Sequence, residues 1–448
     1  VNKTNNIELY DIKAEQAVLG SIIFDNEKFI TSGKWIDHDS FYHIPHQHIY
    51  KAISELYFDK NPIDEITIGD QLKKSNNLEG CGGLVYLAEL IECCPSVGSI
   101  DYYAAMIKEH SIARQAQEIL INGNRKIRDP EQNIPEVIEE LHQSLNDLSI
   151  TEEKRSTKVK EILSGCFNTM EKRSETKEDV TGIPSGFIDL DKTTSGFQNS
   201  DLIIIAGRPA MGKSALSLNC ALHAAKSSKK KGVILIFSIE MPKEQLGFRL
   251  LAIDSKTNTK KFLNGNFEGE DWDKLAMSAD RISPLPIVID DTPGISINSL
   301  LSTCRYYNQI EKEGVSMVII DYLQLVRGNK KLSREQQISE ITSSCKNLAK
   351  EIDIPVIALS QLNRSLEKRT DKRPQLSDLR ESGSIEQDAD LIIFIYRDEV
   401  YEENSKDKGI AELDIAKHRN GPTGMVRVSF QGQYTKFGNL SKYEQPNH

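Results

Sequence analysis

The sequence lacks any run of about 18 consecutive apolar residues, the length a helix needs to cross a bilayer, so no membrane span is expected. Its first ten residues, Val1 to Tyr10, are polar and hold none of the apolar stretch of a secretory signal. The cytoplasm is therefore the expected compartment. Cysteine is sparse and unpatterned: Cys81, Cys93, Cys94, Cys166, Cys220, Cys304 and Cys345 include no C-x-x-C pair. That argues against a disulfide framework or a zinc site, and reduced buried thiols are expected. Positive charge is also in deficit, with 56 Lys and Arg against 66 Asp and Glu and a formal net charge of −10. A protein that coats nucleic acid over its whole surface is usually basic. Any nucleic-acid contact here must be local, through a short basic loop or a channel.

What is present is core-forming material for a large globular chain. The 448 residues are 38% hydrophobic and 27% charged, enough for two or three domains at about 100–200 residues each. Up to about residue 150 the apolar residues recur at helical spacing, as in Ala14, Ala17, Val18, Ile22 and Ile23, and in Ile49, Ile53 and Leu56. Further helical stretches are expected near 84–93, 101–121 and 134–148, separated by Asn61-Pro62, Gly82-Gly83, Cys94-Pro95 and Asp129-Pro130. No convincing β-run occurs there, so residues 1–150 read as an all-helical domain. Residues 151–182 are charge-dense around one amphipathic helix bearing Val159, Ile162, Leu163, Phe167 and Met170. Such a helix is a linker element that packs either on its own domain or on a neighbouring subunit.

From residue 183 the pattern changes to short continuous Val/Ile/Leu runs separated by helices. Leu202–Ala206, Val233–Ser238, Ile287–Asp290, Met317–Asp321, Val356–Leu359 and Leu391–Tyr396 read as strands buried on both faces, which is the signature of a mainly parallel α/β sheet. Two more strands, Leu413–Lys417 and Met425–Phe430, flank Asn420-Gly421-Pro422 as a hairpin. The tail from Leu440 is polar and is expected to be loose.

The strongest chemical signal is Gly207-Arg-Pro-Ala-Met-Gly-Lys-Ser214, between an apolar strand and a helical pattern. That context defines a P-loop, in which glycines admit backbone N–H groups close to phosphates and the helix N-terminus adds partial positive charge. Lys213 is placed to reach the β- and γ-phosphates of a nucleoside triphosphate, and the Ser214 hydroxyl to ligate Mg²⁺. A second acid is needed at a strand end, and Asp321, closing Met317–Asp321, fits. Glu240 lies just beyond Val233–Ser238, where a carboxylate can polarise water. Gln361, after Val356–Leu359, is placed to touch a γ-phosphate. Taken singly, each of these three is also an ordinary loop or strand-end residue.

Two basic features stand out against the acidic total. Residues 363–384 hold Arg364, Lys368, Arg369, Lys372, Arg373 and Arg380, either a solvated loop or a contact for a phosphate backbone. Gly383 within Arg380-Glu381-Ser382-Gly383 would let a backbone N–H approach a phosphate closely. Lys417 and Arg419, two residues apart at a strand end, share one face. They are either a surface pair or a projection that reaches a neighbouring subunit's γ-phosphate as an arginine finger.

These motifs, in this order, resemble the DnaB-like family of bacterial replicative DNA helicases with a RecA-type motor. The resemblance rests on GRPAMGKS, FSIEMP, DDTPG, VIIDYLQL, ALSQLNRSLEKR, LSDLRESGSIEQDAD and AKHRNGPTG, and extends to AEQAVLGSIIFDN and GGLVYLAEL near the N-terminus. It implies a RecA-like α/β P-loop motor over 183–448, a helical linker with a subunit-docking helix over 151–182, and an all-α collar over 1–150. It implies catalytic roles for Lys213, Glu240, Gln361 and Arg419, with Ser214 and Asp321 on Mg²⁺. The nucleotide-contacting set becomes Gly207, Ala210, Gly212, Lys213, Ser214, Ala215, Arg249 (beside the base), Lys417 and Arg419, the last two from the adjacent subunit. Arg380, Glu381 and Gly383 fall on the loop that grips single-stranded DNA. ATP and Mg²⁺ are the implied cofactors. The implied assembly is a homohexameric ring moving 5′ to 3′ at replication forks, cytoplasmic and on the nucleoid, with primase and a helicase loader as partners. Two departures are visible: Thr303–Tyr307 carries one basic residue, Arg305, where relatives are often richer in arginine, and His418 separates the two finger cations.

Three functions compete on these residues: an ATP-driven hexameric helicase, a RecA-type recombinase, and an ATP-gated scaffold without motor activity. The N-terminal helical domain and FSIEMP favour the first over the second. The joint presence of Glu240, Asp321, Gln361 and Arg419 speaks against a dead motor.

Overall fold

The computed structural model describes residues 9–93, 99–149, 180–227, 231–329 and 332–440, with six further residues between 159 and 171. The chain divides into two compact units, 1–163 and 164–448. The division falls inside the expected linker.

The first unit is helical among the described residues: α1 (Ile12–Phe24), α2 (Lys28–Ser32), α3 (Ile44–Phe58), α4 (Glu65–Lys74), α5 (Gly83–Glu92), α6 (Ile100–Ile127) and α7 (Ile134–Ser149). Its core joins the apolar faces of α1, α3 and α4 through Val18, Leu19, Ile22, Ile49, Ile53 and Ile68. The α4 helix is short and mostly polar, with a narrow apolar face of Ile68 and Leu72. It is started by a capping box, in which the Asp64 carboxylate accepts from the Thr67 N–H and the Thr67 hydroxyl accepts from the Asp64 N–H. Beneath α1, the buried Glu15 carboxylate accepts from the Tyr42 N–H at 2.6 Å and pairs with the buried His46 ring at 2.6 Å. This gives a buried acid the partners it requires. Of the linker residues, Val159, Leu163, Phe167 and Met170 are helical and exposed; Ile162 lies outside the described residues.

The second unit runs α8 (Ile188–Thr194), β1 (Leu202–Gly207), α9 (Lys213–Lys226), β2 (Val233–Ser238), α10 (Lys243–Ser255), α11 (Thr259–Asn264), α12 (Gly269–Ile282), β3 (Ile287–Asp290), α13 (Ile297–Ile310), β4 (Val315–Asp321), α14 (Arg334–Glu351), β5 (Val356–Gln361), α15 (Gly383–Asp388), β6 (Leu391–Tyr396), β7 (Ile410–His418), β8 (Gly424–Gln431) and β9 (Lys436–Asn439). The sheet order is β3-β2-β4-β5-β1-β6-β7-β8-β9. Strands β3 to β6 in that order pair parallel, and β7, β8 and β9 extend the sheet antiparallel. Every residue of β1 is buried, and its side chains alternate between two cores. Ile203 and Ile205 pack under α9 and α10, while Leu202, Ile204 and Ala206 pack under α13 and α14. A strand covered on both faces must be continuously apolar, which is why β1, β2, β4 and β6 are legible as uninterrupted runs. Strand β3, at the sheet edge, is only partly buried, which corrects the reading of Ile287–Asp290 as buried on both faces.

The structure differs from the sequence reading at several points. Strand β9 is unexpected because KFGN is short and mostly polar; it forms by pairing with β8 and buries Phe437. Strands β7 and β8 outrun the expected hairpin arms, their ends being held by ladder pairs between Ile410 and Ser429 and between Ile415 and Gly424. Among the thiols, Cys81, Cys220, Cys304 and Cys345 are buried and free, but Cys93 and Cys166 are exposed; Cys94 and residues after 440 lie outside the described ones. No described helix is long and apolar enough to cross a membrane.

Candidate nucleotide site

The register of four adjacent parallel strands assembles the site. Gly207, ending β1, is the Cα partner of Gln361, ending β5. Ser238, ending β2, is the Cα partner of Asp321, ending β4. Glu240 follows two residues beyond β2, and the Ile239 N–H donates to the Asp321 carbonyl at 2.9 Å. The phosphate loop, Gln361, Asp321 and Glu240 therefore share the C-terminal edge of one sheet, where α/β folds bind ligands.

The loop between β1 and α9 needs unusual backbone. Gly212 has φ +100 and a Cβ there would meet the Phe437 ring at 2.9 Å, so both conformation and space demand glycine. Ala210 takes φ +66, and its carbonyl accepts from Arg397 Nη1 at 3.0 Å. Arg397 is itself set by Glu399 at 2.5 Å and lies over the Phe430 ring. Gly212 caps α9 without any side-chain acceptor, which leaves the first N–H groups of a 14-residue helix open to an anion. Ala215 is buried behind them.

Around that opening the charged groups converge. Lys213 Nζ donates to the Gly207 carbonyl at 2.9 Å and to that of Arg208 at 3.4 Å. Burial lowers the Lys213 ammonium from its usual value, while Asp321 and Glu240 pull it back up. Asp321 is 5% exposed. Desolvation raises its carboxyl above the usual range; a hydrogen bond from the Ser214 hydroxyl opposes the rise, Glu240 adds to it, and Lys213 and Arg249 reduce it. Arg249, on α10, is lowered by burial and raised by Asp321 and then Glu240. One electrostatic cluster thus holds Lys213, Ser214, Glu240, Asp321 and Arg249, all singled out from the sequence. Arg249 faces the two carboxylates of this cluster.

Ser214 and Asp321 together offer a hydroxyl and a carboxylate oxygen to a hard cation. Among the described residues no group of three or more His, Cys, Asp or Glu could hold a metal. Such a donor pair fits Mg²⁺ carried in with nucleotide phosphates, because Mg²⁺ keeps waters and takes few protein ligands.

The basic segment after β5 resolves into separate roles. Arg369 Nη2 binds the buried Asp378 at 2.7 Å, and Arg373 clamps the buried Glu412 at 2.8 and 3.0 Å. These two cations pair with buried acids, which gives them a structural task that the sequence did not show. Lys372 Nζ stands over the Tyr401 ring. Arg380 and Glu381 lie on a short 3₁₀ segment, Leu376–Ser382, with their side chains outside the described ones; Gly383 opens α15. Gly383 has φ −53 and open space where a Cβ would stand, so nothing within the chain demands glycine there.

Lys417 and Arg419 do share one face. Lys417 Nζ donates to the Glu386 carbonyl at 2.5 Å, and Arg419 donates to the Gln387 carbonyl and the Asp390 carboxylate, both at 3.1 Å. Both cations lie at the C-terminal end of α15, and the His418 ring instead meets the Pro422 carbonyl at 3.2 Å. Arg305 pairs with Glu351 at 2.7 Å. Sequence reasoning missed Arg208 and Arg397. The first occupies a freely variable position of the P-loop pattern, and the second is marked only as an arginine directly after an apolar strand.

Fold and site define a P-loop NTPase of the RecA-like kind. Two family models match, the DnaB-like helicase N terminal domain over residues 7–109 and the DnaB-like helicase C terminal domain over residues 182–439. The chain belongs to the DnaB-like family of replicative helicases, and is an ATP-dependent DNA helicase. It is 40% identical over 438 residues to the replicative DNA helicase DnaB of Geobacillus stearothermophilus, covering 96% of this chain and 95% of that one. It is 41% identical to that of Haemophilus influenzae, covering 98% and 95%. The solved structure of a DnaB-like replicative helicase, described with its interactions with primase, matches with a TM-score of 0.75 at 35% identity, covering 96% of this chain and all of that one.

Proposed function

We propose that the chain forms a homohexameric ring that encircles single-stranded DNA and moves 5′ to 3′ at the replication fork, hydrolysing ATP with Glu240 as the water-activating base. The observation that carries this reading is the alignment of Gly207 with Gln361 and of Ser238 with Asp321 at one sheet edge. Gly207, Ala210, Gly212 and Ala215 shape the phosphate cradle, and Lys213 neutralises the β- and γ-phosphates. Ser214 and Asp321 hold Mg²⁺, which when bound offsets phosphate charge. Glu240 accepts the proton of the attacking water, and Gln361 senses the γ-phosphate. Arg249, expected beside the base, has Asp321 and Glu240 as its charged neighbours, which favours the phosphate end of the site.

The same proposal makes the site half of a pair. Lys417 and Arg419 leave their own α15 to complete a neighbour's site. The exposed face of Val159, Leu163, Phe167 and Met170 docks on a neighbouring subunit, with residues 151–182 as linker between a collar and a motor. Arg380, Glu381 and Gly383 grip DNA; the open space at Gly383 supports close approach of a phosphate. Primase and a loader are the partners, and the nucleoid is the place of work. The test is native mass measurement of the full chain with and without an ATP analogue and single-stranded DNA. A hexamer is expected, and a monomer under all conditions overturns the trans finger.

A further inference from the structure

The phosphate loop carries an arginine to which the chemistry above gives no task. Arg208 follows Gly207 and is 7% exposed. Its Nη1 donates to the Leu362 carbonyl at 2.8 Å, and its Nε and Nη2 both donate to Glu367 Oε1, at 2.9 and 2.6 Å. Leu362 is the residue after Gln361. Glu367 sits in the 3₁₀ segment Arg364–Lys368, which is anchored by the fully buried Leu366. Two contacts lead onward from there. The Asn363 N–H donates to the Asp378 carbonyl at 3.1 Å, and Arg369 pairs with the Asp378 carboxylate at 2.7 Å. Asp378 belongs to Leu376–Ser382, the segment that carries Arg380.

A guanidinium buried this deeply stays charged and must be paired. An apolar side chain would fill the same space without that demand. What the guanidinium adds is direction: a planar fork with three fixed donor vectors sets the distance between the phosphate loop that bears it and the segment it holds. A second observation points the same way. Arg208, Gln361 and Asn363 line a cavity of about 360 Å³ that Asp378 and Leu379 also line. The segment bearing Arg380 thus borders unfilled space beside the sensor and has room to shift.

We propose that Arg208 is a positioning residue that couples the phosphate loop to the segment bearing Arg380, through Leu362 and Glu367. Filling the phosphate loop moves Arg208, and the fork carries that displacement to the DNA-facing segment. Nucleotide thereby sets DNA affinity and DNA sets nucleotide affinity, by the same factor. The proposal rests on the reading that Arg380 to Gly383 contact DNA.

Glu367 is the place to test it, because it is half-exposed, touches Arg208 and lies outside the nucleotide site. In the full chain, the affinity for fluorescent single-stranded DNA is measured with and without a non-hydrolysable ATP analogue, alongside ATP turnover with and without DNA. For Glu367→Ala the factor by which the analogue changes DNA affinity is expected to fall about fivefold or more, towards one. Turnover without DNA stays within about twofold. Glu367→Gln, which keeps an acceptor oxygen, is expected to retain most of the coupling, and Arg208→Lys, which keeps charge without the fork, to lose it. An unchanged factor in Glu367→Ala overturns the proposal, as does an equal loss of turnover with and without DNA. Arg380→Ala separates the two claims. If it leaves DNA binding intact, the loop reading itself fails. If it abolishes binding while Glu367→Ala keeps the wild-type factor, only the coupling through Arg208 and Glu367 fails.

Discussion

At the scale of single residues, the account stands on Glu240 and Asp321 having different surroundings. Glu240 is exposed beyond β2, while Asp321 is buried at the end of β4, with its carboxyl raised by desolvation and hydrogen-bonded to Ser214. One acid is free to meet water and the other is committed to the site's interior. Glu240→Gln should lower ATP turnover by about two orders of magnitude or more, the scale of general-base loss, with nucleotide affinity retained. Single-turnover hydrolysis together with equilibrium nucleotide binding checks this, and a parallel loss of binding would count against the assignment. These residues were legible in the sequence because each closes or follows a continuous apolar run. Arg208 and Arg397 were not, since their contacts, to Leu362 and Glu367 and to the Ala210 carbonyl, are between segments far apart in the chain.

At the scale of elements, the sheet's C-terminal edge carries the chemistry and its N-terminal edge carries a charge cluster. Asp390, entering β6, accepts from the Leu202 N–H, Lys346 and Arg419. Beside it Asp201 is pushed up to about 6, first by desolvation, then by Asp390, with Lys346 and Arg419 acting against the rise. An acid whose folded value exceeds its ordinary 3.8 holds its proton more tightly when native, so stability falls as pH rises through that window and stays lower above it. Asp201→Asn should therefore raise the melting temperature more at pH 7.5 than at pH 4.5, and an equal gain at both contradicts the assignment. Gly212→Ala, forced to φ +100 against Phe437, should cost about 1–3 kcal/mol in thermal unfolding and weaken nucleotide binding. Ile204→Ala, in the doubly covered β1, should cost about 2–5 kcal/mol by denaturant titration. The inner parallel strands β1, β2, β4, β5 and β6 are readable because burial on both faces writes itself as an apolar run. Strand β9 and helix α4 are harder to read, because one is made by a neighbour's ladder and the other offers only Ile68 and Leu72 as its buried apolar face.

At the scale of the molecule, the acidic total and the local basic segment fit a motor that touches DNA through a few loops. Within that segment Arg369 and Arg373 also pair with the buried acids Asp378 and Glu412. The family and the general function were legible from motif order, whereas the pairing of basic residues with their acids was not, because it depends on which carboxylates the fold buries. Lys417 and Arg419 donate to their own α15 in the single chain, so the finger role proposed for them requires that a ring release them first. The most direct test of the account is strand separation on a forked duplex bearing a 5′ tail, followed for the wild-type chain, Lys213→Ala and Glu240→Gln. ATP-dependent unwinding is expected from the wild type and none from either variant. ATP hydrolysis without strand separation by the wild type, or unwinding by Glu240→Gln at the wild-type rate, contradicts it.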